Sequence, residues 1–125
     1  MSTILLVEDE ALNRTLVKAV LARAQIEAVR DAELLDAGSL AAARSALSSR
    51  PVDVILLDMN LPDGNGLTLA RELARTEGPR PAVIAVTASV LPQDRAAAIE
   101  AGCDGFLDKP YAAADLVAVV ARHLP

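Results

Sequence analysis

The chain has 125 residues, of which 53% are hydrophobic and 2% aromatic, and its formal net charge is −5 at pH 7. This length predicts one domain over residues 1–125, with an aliphatic core. The acidic balance disfavours direct nucleic-acid binding and binding to anionic membranes, because both need clustered Lys and Arg. Small ligands and protein partners remain.

The number of cysteines and the lengths of the apolar runs bear on the cellular location of the protein. Cys103 is the single cysteine, so neither an intrachain disulfide nor a CxxC metal pair can form, and we interpret it as a half-buried small residue. No apolar run approaches the ~20 residues of a membrane span. The first apolar run follows Met1 at once, which leaves no room for a signal peptide. We therefore expect a cytoplasmic protein.

The first quarter of the chain predicts a strand and a helix. Residues 3–7 are apolar and rich in β-branched side chains, and the acidic segment 8–10 follows. Residues 25–31 fit either an extension of the next helix or a loop, and this segment is longer than we expect for the fold proposed below. The helix itself is indicated by apolar residues three and four positions apart on one face, namely Leu12, Leu16, Val17, Val20, Leu21 and Ala24.

The middle of the chain predicts two more strands, each followed by a helix. A weaker strand at 32–38 precedes an Ala-rich helix at 40–49, for which Ser39 is a suitable N-cap. The most apolar strand follows at 53–57 and ends on Asp58. A loop through Gly66 then leads to a helix over 66–76 with four inward residues, Leu67, Leu69, Ala70 and Leu73.

The last third repeats the alternation. A strand at 81–89 precedes a helix that begins at Pro92 and stops at Gly102. Residues 104–110 hold the fifth strand, and the last helix covers 112–123. Five apolar strands alternating with helices predict an α/β fold, a parallel sheet covered on both faces. We choose the doubly wound, flavodoxin-like order 2-1-3-4-5, which binds ligands at the carboxyl ends of its strands.

Polar residues stand at those carboxyl ends. They are Glu8 and Asp9 after strand 1, Asp58 after strand 3, Thr87 and Ser89 around the end of strand 4, and Lys109 after strand 5. Each alone fits a helix cap, a turn or a solvated side chain. Together they indicate a site, because clustered carboxylates need cations and oxygen ligands suit Mg²⁺. Carboxylates, Mg²⁺, a lysine and a hydroxyl form a site for a phosphoryl group, with one carboxylate as the nucleophile.

Four segments resemble the receiver (CheY-like) domain of two-component response regulators. They are ILLVEDE at 4–10, ILLDMNLPDGNG at 55–66, VTAS at 86–89 and GFLDKP at 105–110, in the order of that family. The resemblance covers nearly the whole chain. It implies a (βα)5 fold and a signalling domain that assists its own phosphorylation and dephosphorylation, rather than an enzyme.

The resemblance also implies roles for individual residues. Asp58 is then the phosphoacceptor, assisted by Lys109 and Thr87, while Thr87 and Phe106 form the conformational switch. Lys109–Pro110 is expected to be a cis peptide. The implied Mg²⁺ ligands, which also accept Mn²⁺, are Glu8 through water, Asp9, Asp58 and the backbone carbonyl of Asn60. Asn60 and Ser89 occupy positions that tune hydrolysis.

The implied function is a phosphorelay step. The phosphodonor is a phosphohistidine on a histidine kinase or a histidine phosphotransfer protein. The face made by the fourth helix, fifth strand and fifth helix then signals to a downstream protein. The alternative is a pseudo-receiver, an interaction module that is never phosphorylated.

Two other classes fit less well. A haloacid-dehalogenase-type hydrolase needs a second Asp two residues after its nucleophile, where this chain has Asn60. A flavodoxin needs a phosphate loop after strand 1 and aromatic residues against the flavin.

Two side chains near the carboxyl terminus receive other interpretations. We interpret Tyr111 as surface packing or a partner contact, and His123 as solvated at a helix end.

Overall fold

Five parallel strands form one sheet in the computed structural model, which describes residues 2–88 and 91–125. In chain order they are β1 (Thr3–Val7), β2 (Glu33–Ala37), β3 (Val54–Asp58), β4 (Ala82–Thr87) and β5 (Gly105–Asp108). They lie side by side in the order β2-β1-β3-β4-β5. The predicted doubly wound order is thereby confirmed.

A helix follows each strand and returns the chain to the start of the next one. The five are α1 (Ala11–Ala22), α2 (Leu40–Ser49), α3 (Gly66–Ala74), α4 (Pro92–Ala101) and α5 (Ala113–His123). The longest, α1, has 12 residues. Among the described residues there is no helix with both the length and the apolarity that crossing a bilayer requires.

Alternating strand residues point into two separate cores, because successive side chains of a strand face opposite sides. On one face Ile4 and Leu6 pack against α1 and α5, where Leu21 and Leu116 are buried. On the other face Leu5, Val7, Ile55 and Leu57 pack against α2, α3 and α4. The central strands β1 and β3 are therefore buried along their whole length, which explains their unbroken apolar sequence.

Only part of the apolar face predicted to point inward from α1 is buried. Val17 and Leu21 are buried, and so is Ala24 just beyond the helix, but Leu12 is 68% exposed and Leu16 55% exposed. At about 100° per residue the six apolar side chains span roughly half of the helix circumference. The sheet covers only the part of this arc that carries Val17, Leu21 and Ala24.

Residues 25–31 form neither a continued α1 nor a simple loop. After α1 ends at Ala22, a separate short helix covers Glu27–Arg30. Its Val29 is fully buried in the core beneath α1 and α5. One apolar side chain thus anchors the long connection to β2.

Other boundaries differ by one to two residues from the sequence prediction. Asp58 belongs to β3 itself, α3 ends at Ala74, and β4 ends at Thr87. Ser89 lies outside the described residues. Gly102 ends α4 in a left-handed conformation with φ 102°, which a glycine adopts without strain.

Candidate functional site

Three carboxylates meet at the carboxyl edge of the two central strands. Glu8 and Asp9 directly follow β1, Asp58 ends β3, and the two strands are neighbours with Val7 opposite Leu57. One oxygen from each carboxylate lies within 4.8 Å of the others. Glu8 and Asp58 are each 6% exposed, whereas Asp9 is exposed. The cluster is thus a buried pair with one carboxylate toward solvent.

Lys109 reaches this cluster from the end of β5. Its Nζ lies 3.1 Å from Asp58 Oδ2 and 3.4 Å from Glu8 Oε2. Its backbone N–H donates to the carbonyl of Thr87 at 2.8 Å, and the Lys109–Pro110 peptide is cis as expected. The amine is therefore held over both buried carboxylates from a fixed backbone position.

Among the described residues, the cation paired with the two buried carboxylates is Lys109. Burial raises the pKa of Glu8, and its hydrogen bond and repulsion with Asp58 add to the effect. Burial lowers the pKa of Lys109, but hydrogen bonds and attraction from Asp58 and Glu8 outweigh it, so the net shift is upward. One amine thus serves two buried carboxylates, which favours binding a further cation.

The donor set fits a hard divalent ion. Three carboxylates can each offer an oxygen, and the group contains neither histidine nor cysteine. Such ligands suit Mg²⁺ or Mn²⁺ rather than Zn²⁺. Glu8, Asp9 and Asp58 are therefore the residues that could hold a metal here.

The turn after β3 is held close to Asp58. The N–H of Asn60 donates to Asp58 Oδ1 at 3.2 Å, and the N–H of Gly66 donates to the carbonyl of Met59 at 3.0 Å. Between them, Asn60–Leu61 pairs antiparallel with Gly64–Asn65. A Cβ on Gly66 would lie 2.4 Å from the carbonyl oxygen of Asp58, so only glycine permits this approach.

Thr87 and Phe106 lie on neighbouring strands beside a common cavity. Thr87 ends β4, and Phe106 of β5 stands opposite Ala85. Both side chains line a cavity of about 190 Å³ that also borders α4. The guanidinium of Arg95 lies 5.0 Å from the centre of the Phe106 ring and forms an ion pair with Asp108. The Phe106 ring and the Arg95 guanidinium thus border the same cavity.

Sequence reasoning missed two arginine contacts. Arg95 bridges α4 to Asp108 across 13 positions of sequence, and Arg14 Nη1 donates to the backbone carbonyl of Glu8 at 2.6 Å. Arg14 also lies 3.7 Å from Asp36 at the end of β2. Neither pairing follows a helical or strand period, so only the tertiary structure shows them.

Three side chains away from the cluster also have defined surroundings. Tyr111 is half-buried against the core beneath α1 and α5, and burial raises its pKa. Cys103 is half-buried as predicted, and burial raises the pKa of its thiol to about 11. His123 ends α5 as predicted, but it is half-buried and not fully solvated. Its ring lies against Gly105, where a Cβ would come within 3.0 Å, and Nδ1 lies 2.9 Å from the Val119 carbonyl.

Comparison with known proteins agrees with this geometry. The sequence profile described as "Response regulator receiver domain" matches residues 4–121. The chain belongs to this family. The receiver domain is 36% identical over 118 residues to the KDP operon transcriptional regulatory protein KdpE of Escherichia coli (strain K12), covering 94% of this chain and 49% of that protein. It thus spans about half the length of that relative.

Two further relatives match the receiver domain over most of both chains. The two-component response regulator ORR41 of Oryza sativa subsp. japonica is 34% identical over 125 residues, covering 98% of this chain and 94% of that protein. The crystal structure of the Mn²⁺-bound form of response regulator Rcp1 superposes with a TM-score of 0.78 at 30% identity. That match covers 96% of this chain and 89% of the other. One similar structure of the family therefore contains a divalent metal.

Proposed function

We propose that this receiver domain accepts a phosphoryl group on Asp58 from a phosphohistidine of a histidine kinase or a histidine phosphotransfer protein. The observation that carries the proposal is the approach of Lys109 Nζ to 3.1 Å from Asp58 Oδ2, beside Glu8 and Asp9. A carboxylate fixed at the end of a buried strand is a preoriented nucleophile.

The transfer exchanges one bond to phosphorus for another. An oxygen of Asp58 forms the new O–P bond while the N–P bond breaks, and the electron pair of that bond stays on the imidazole of the donor. We assign to Lys109 the contact with the phosphoryl oxygens and to Thr87 a hydrogen bond donated to them. Because the acceptor is the domain's own side chain, we regard it as a signalling domain that assists its own modification, not as an enzyme.

Mg²⁺, for which Mn²⁺ can substitute, would be held by Asp9, Asp58, the backbone carbonyl of Asn60 and, through water, Glu8. When bound, it supplies positive charge that offsets the charge of the phosphoryl oxygens. Asn60, whose N–H donates to Asp58 Oδ1, is assigned the tuning of hydrolysis together with Ser89.

We assign the output to the face formed by α4, β5 and α5. Phosphorylation adds charge and acceptor oxygens near Thr87. Thr87 and Phe106 line the same cavity of about 190 Å³, and we assign to the Phe106 ring the inward movement of the switch. A population shift between two packings of this face would be recognised by a downstream protein. A cytoplasmic location fits this role, because the phosphoryl group of a phosphohistidine derives from ATP.

Phosphoramidate tests the proposal directly, because its P–N bond resembles that of phosphohistidine. The protein is incubated with phosphoramidate and Mg²⁺ and its intact mass is measured, with Asp58→Asn and a chelator as controls. We expect the gain of one phosphoryl group, lost in both controls. Metal binding without any gain from phosphoramidate or acetyl phosphate would restrict the donor to a dedicated partner. Neither gain nor metal binding would refute the proposal and leave the pseudo-receiver.

A further inference from the structure

The loop that follows Asp58 is tied to a distant helix by Asp63. Asp63 Oδ1 accepts the backbone N–H of Leu40 at 2.8 Å, and Oδ2 accepts that of Ala41 at 3.0 Å. Leu40 and Ala41 are the first two residues of α2, 23 and 22 positions earlier in the chain. Both carboxylate oxygens of one side chain thus join two segments that share no strand pairing.

The helix has a cap of its own in addition to Asp63. Ser39 is the N-cap residue, and its Oγ accepts the N–H of Ala42 at 3.1 Å. Asp63 accepts hydrogen bonds from the two preceding N–H groups, which have no acceptor within the helix. These two bonds keep the pKa of Asp63 below its usual value, so the carboxylate remains ionised at neutral pH. Two acceptors, local and distant, therefore divide the capping of α2.

The same contact fixes the tip of the loop. Asp63 lies between the paired segments Asn60–Leu61 and Gly64–Asn65. A Cβ on Gly64 would lie 3.0 Å from Leu40 Cδ1, and Leu40 is buried, so the tip lies against the start of α2. The base of the loop is fixed separately, by the bond from Gly66 to Met59 and the bond from Asn60 to Asp58.

We propose that Asp63 is a positioning residue that holds Asn60 in place for the metal and phosphoryl site. The inference rests on the proposed function, because Asn60 is a ligand only if that site binds a metal. At the base of the loop, the N–H of Asn60 is held by Asp58, and Asn60 lies three positions before Asp63, which fixes the tip. Without Asp63 the tip loses its attachment to α2, and the backbone at Asn60 gains freedom that metal binding must remove.

The test compares Asp63→Ala with Ser39→Ala. Each variant removes a cap from the same helix, but only the first releases the loop. Mn²⁺ affinity is measured by paramagnetic resonance of the free ion, and amide hydrogen exchange is followed at Asn60 and Gly66 in metal-free protein. We expect Asp63→Ala to weaken Mn²⁺ binding by about 10-fold, which is the lower end of the effect of removing a residue that supports a metal ligand. We also expect it to accelerate hydrogen exchange of the Asn60 and Gly66 amides. Ser39→Ala should change neither the Mn²⁺ affinity nor the amide exchange. Asp63→Asn keeps one acceptor, so its effects should be intermediate between those of the unmodified protein and Asp63→Ala.

Each outcome decides the matter. If Asp63→Ala matches Ser39→Ala in Mn²⁺ affinity and in exchange at both amides, Asp63 is only a helix cap and the proposal fails. If the unmodified protein binds no Mn²⁺, the proposed metal site fails on its own. The exchange data then still decide whether Asp63 holds the loop: faster exchange only in Asp63→Ala supports the tether, and equal exchange overturns it.

Discussion

Both edges of the sheet carry carboxylates, but those at the amino edge each have their own partner, whereas the two buried ones at the centre of the carboxyl edge share one amine. At the amino edge, each of three acidic residues next to a strand start has its own partner among the described residues. Asp53 accepts the N–H of Thr3 at 2.8 Å, Asp104 accepts the N–H of Val83 at 2.8 Å and pairs with Arg80, and Glu33 pairs with Arg50. These carboxylates have a structural explanation that is complete within the protein.

At the carboxyl edge, whether a carboxylate has its own cationic partner depends on the strand that carries it. Asp36 at the end of β2 lies 2.6 Å from Lys18, and Asp108 at the end of β5 pairs with Arg95. In the centre, Glu8 and Asp58 share Lys109. A carboxylate at a strand end therefore does not by itself indicate a functional site. The indication is that two buried carboxylates share one amine.

Replacing Lys109 should have the largest effect. Lys109→Met removes the amine that contacts both buried carboxylates, and we expect phosphorylation of Asp58 by phosphoramidate to slow about 100-fold, as when one charge-stabilising donor is lost. Lys18→Met is the matched control, because Lys18 also pairs with a carboxylate at this edge. Intact-mass time courses measure both rates. Equal slowing in the two variants would show that the centre of the edge is not special.

Removing one carboxylate from each edge should change stability with opposite sign. Asp104→Ala leaves the N–H of Val83 without its acceptor and should lower the free energy of unfolding by about 1–2 kcal/mol. Asp58→Asn relieves repulsion with Glu8 and should raise it in metal-free protein, by about 1 kcal/mol. Urea denaturation measures both. A loss in Asp58→Asn as large as that in Asp104→Ala would contradict the contrast between the edges.

The pH dependence of stability should report on Glu8. Its pKa in the folded, metal-free protein is raised above the unfolded value of 4.5, so the folded state holds the proton more tightly. This contribution is complete below the unfolded pKa and is lost as the pH rises through the folded pKa. Denaturation from about pH 4 to about pH 8 should therefore show a decline that Glu8→Gln lacks. The same decline in Glu8→Gln would assign it to another group.

The smallest effect is expected at the amino edge. Arg50 and Glu33 form an exposed ion pair, and such pairs contribute about 0–1 kcal/mol. Arg50→Ala should change the free energy of unfolding by less than about 0.5 kcal/mol and leave Mn²⁺ affinity unchanged. Thermal denaturation with and without Mn²⁺ checks both. A change in metal affinity would mean that the two edges communicate.

The strand order and the centre of the site were predictable from sequence. Parallel strands bring their carboxyl ends to one edge, so Glu8, Asp58 and Lys109 meet although they lie 50 to 101 positions apart. The exposed part of α1 was not predictable, because the apolar arc is wider than the surface that the sheet covers. Nor were the contacts of Asp63 and Arg95, since their partners depend on how loops and helices dock and not on any period.

Tyr111 gives the protein a built-in optical probe. It is the sole tyrosine, and the chain has no tryptophan. The side chain is half-buried and borders the same groove as Glu8 and Lys109. Emission excited near the tyrosine band therefore arises from one phenol next to the cleft. Titrations of metal or phosphodonor can be followed through that emission without a label, and every change in emission comes from Tyr111.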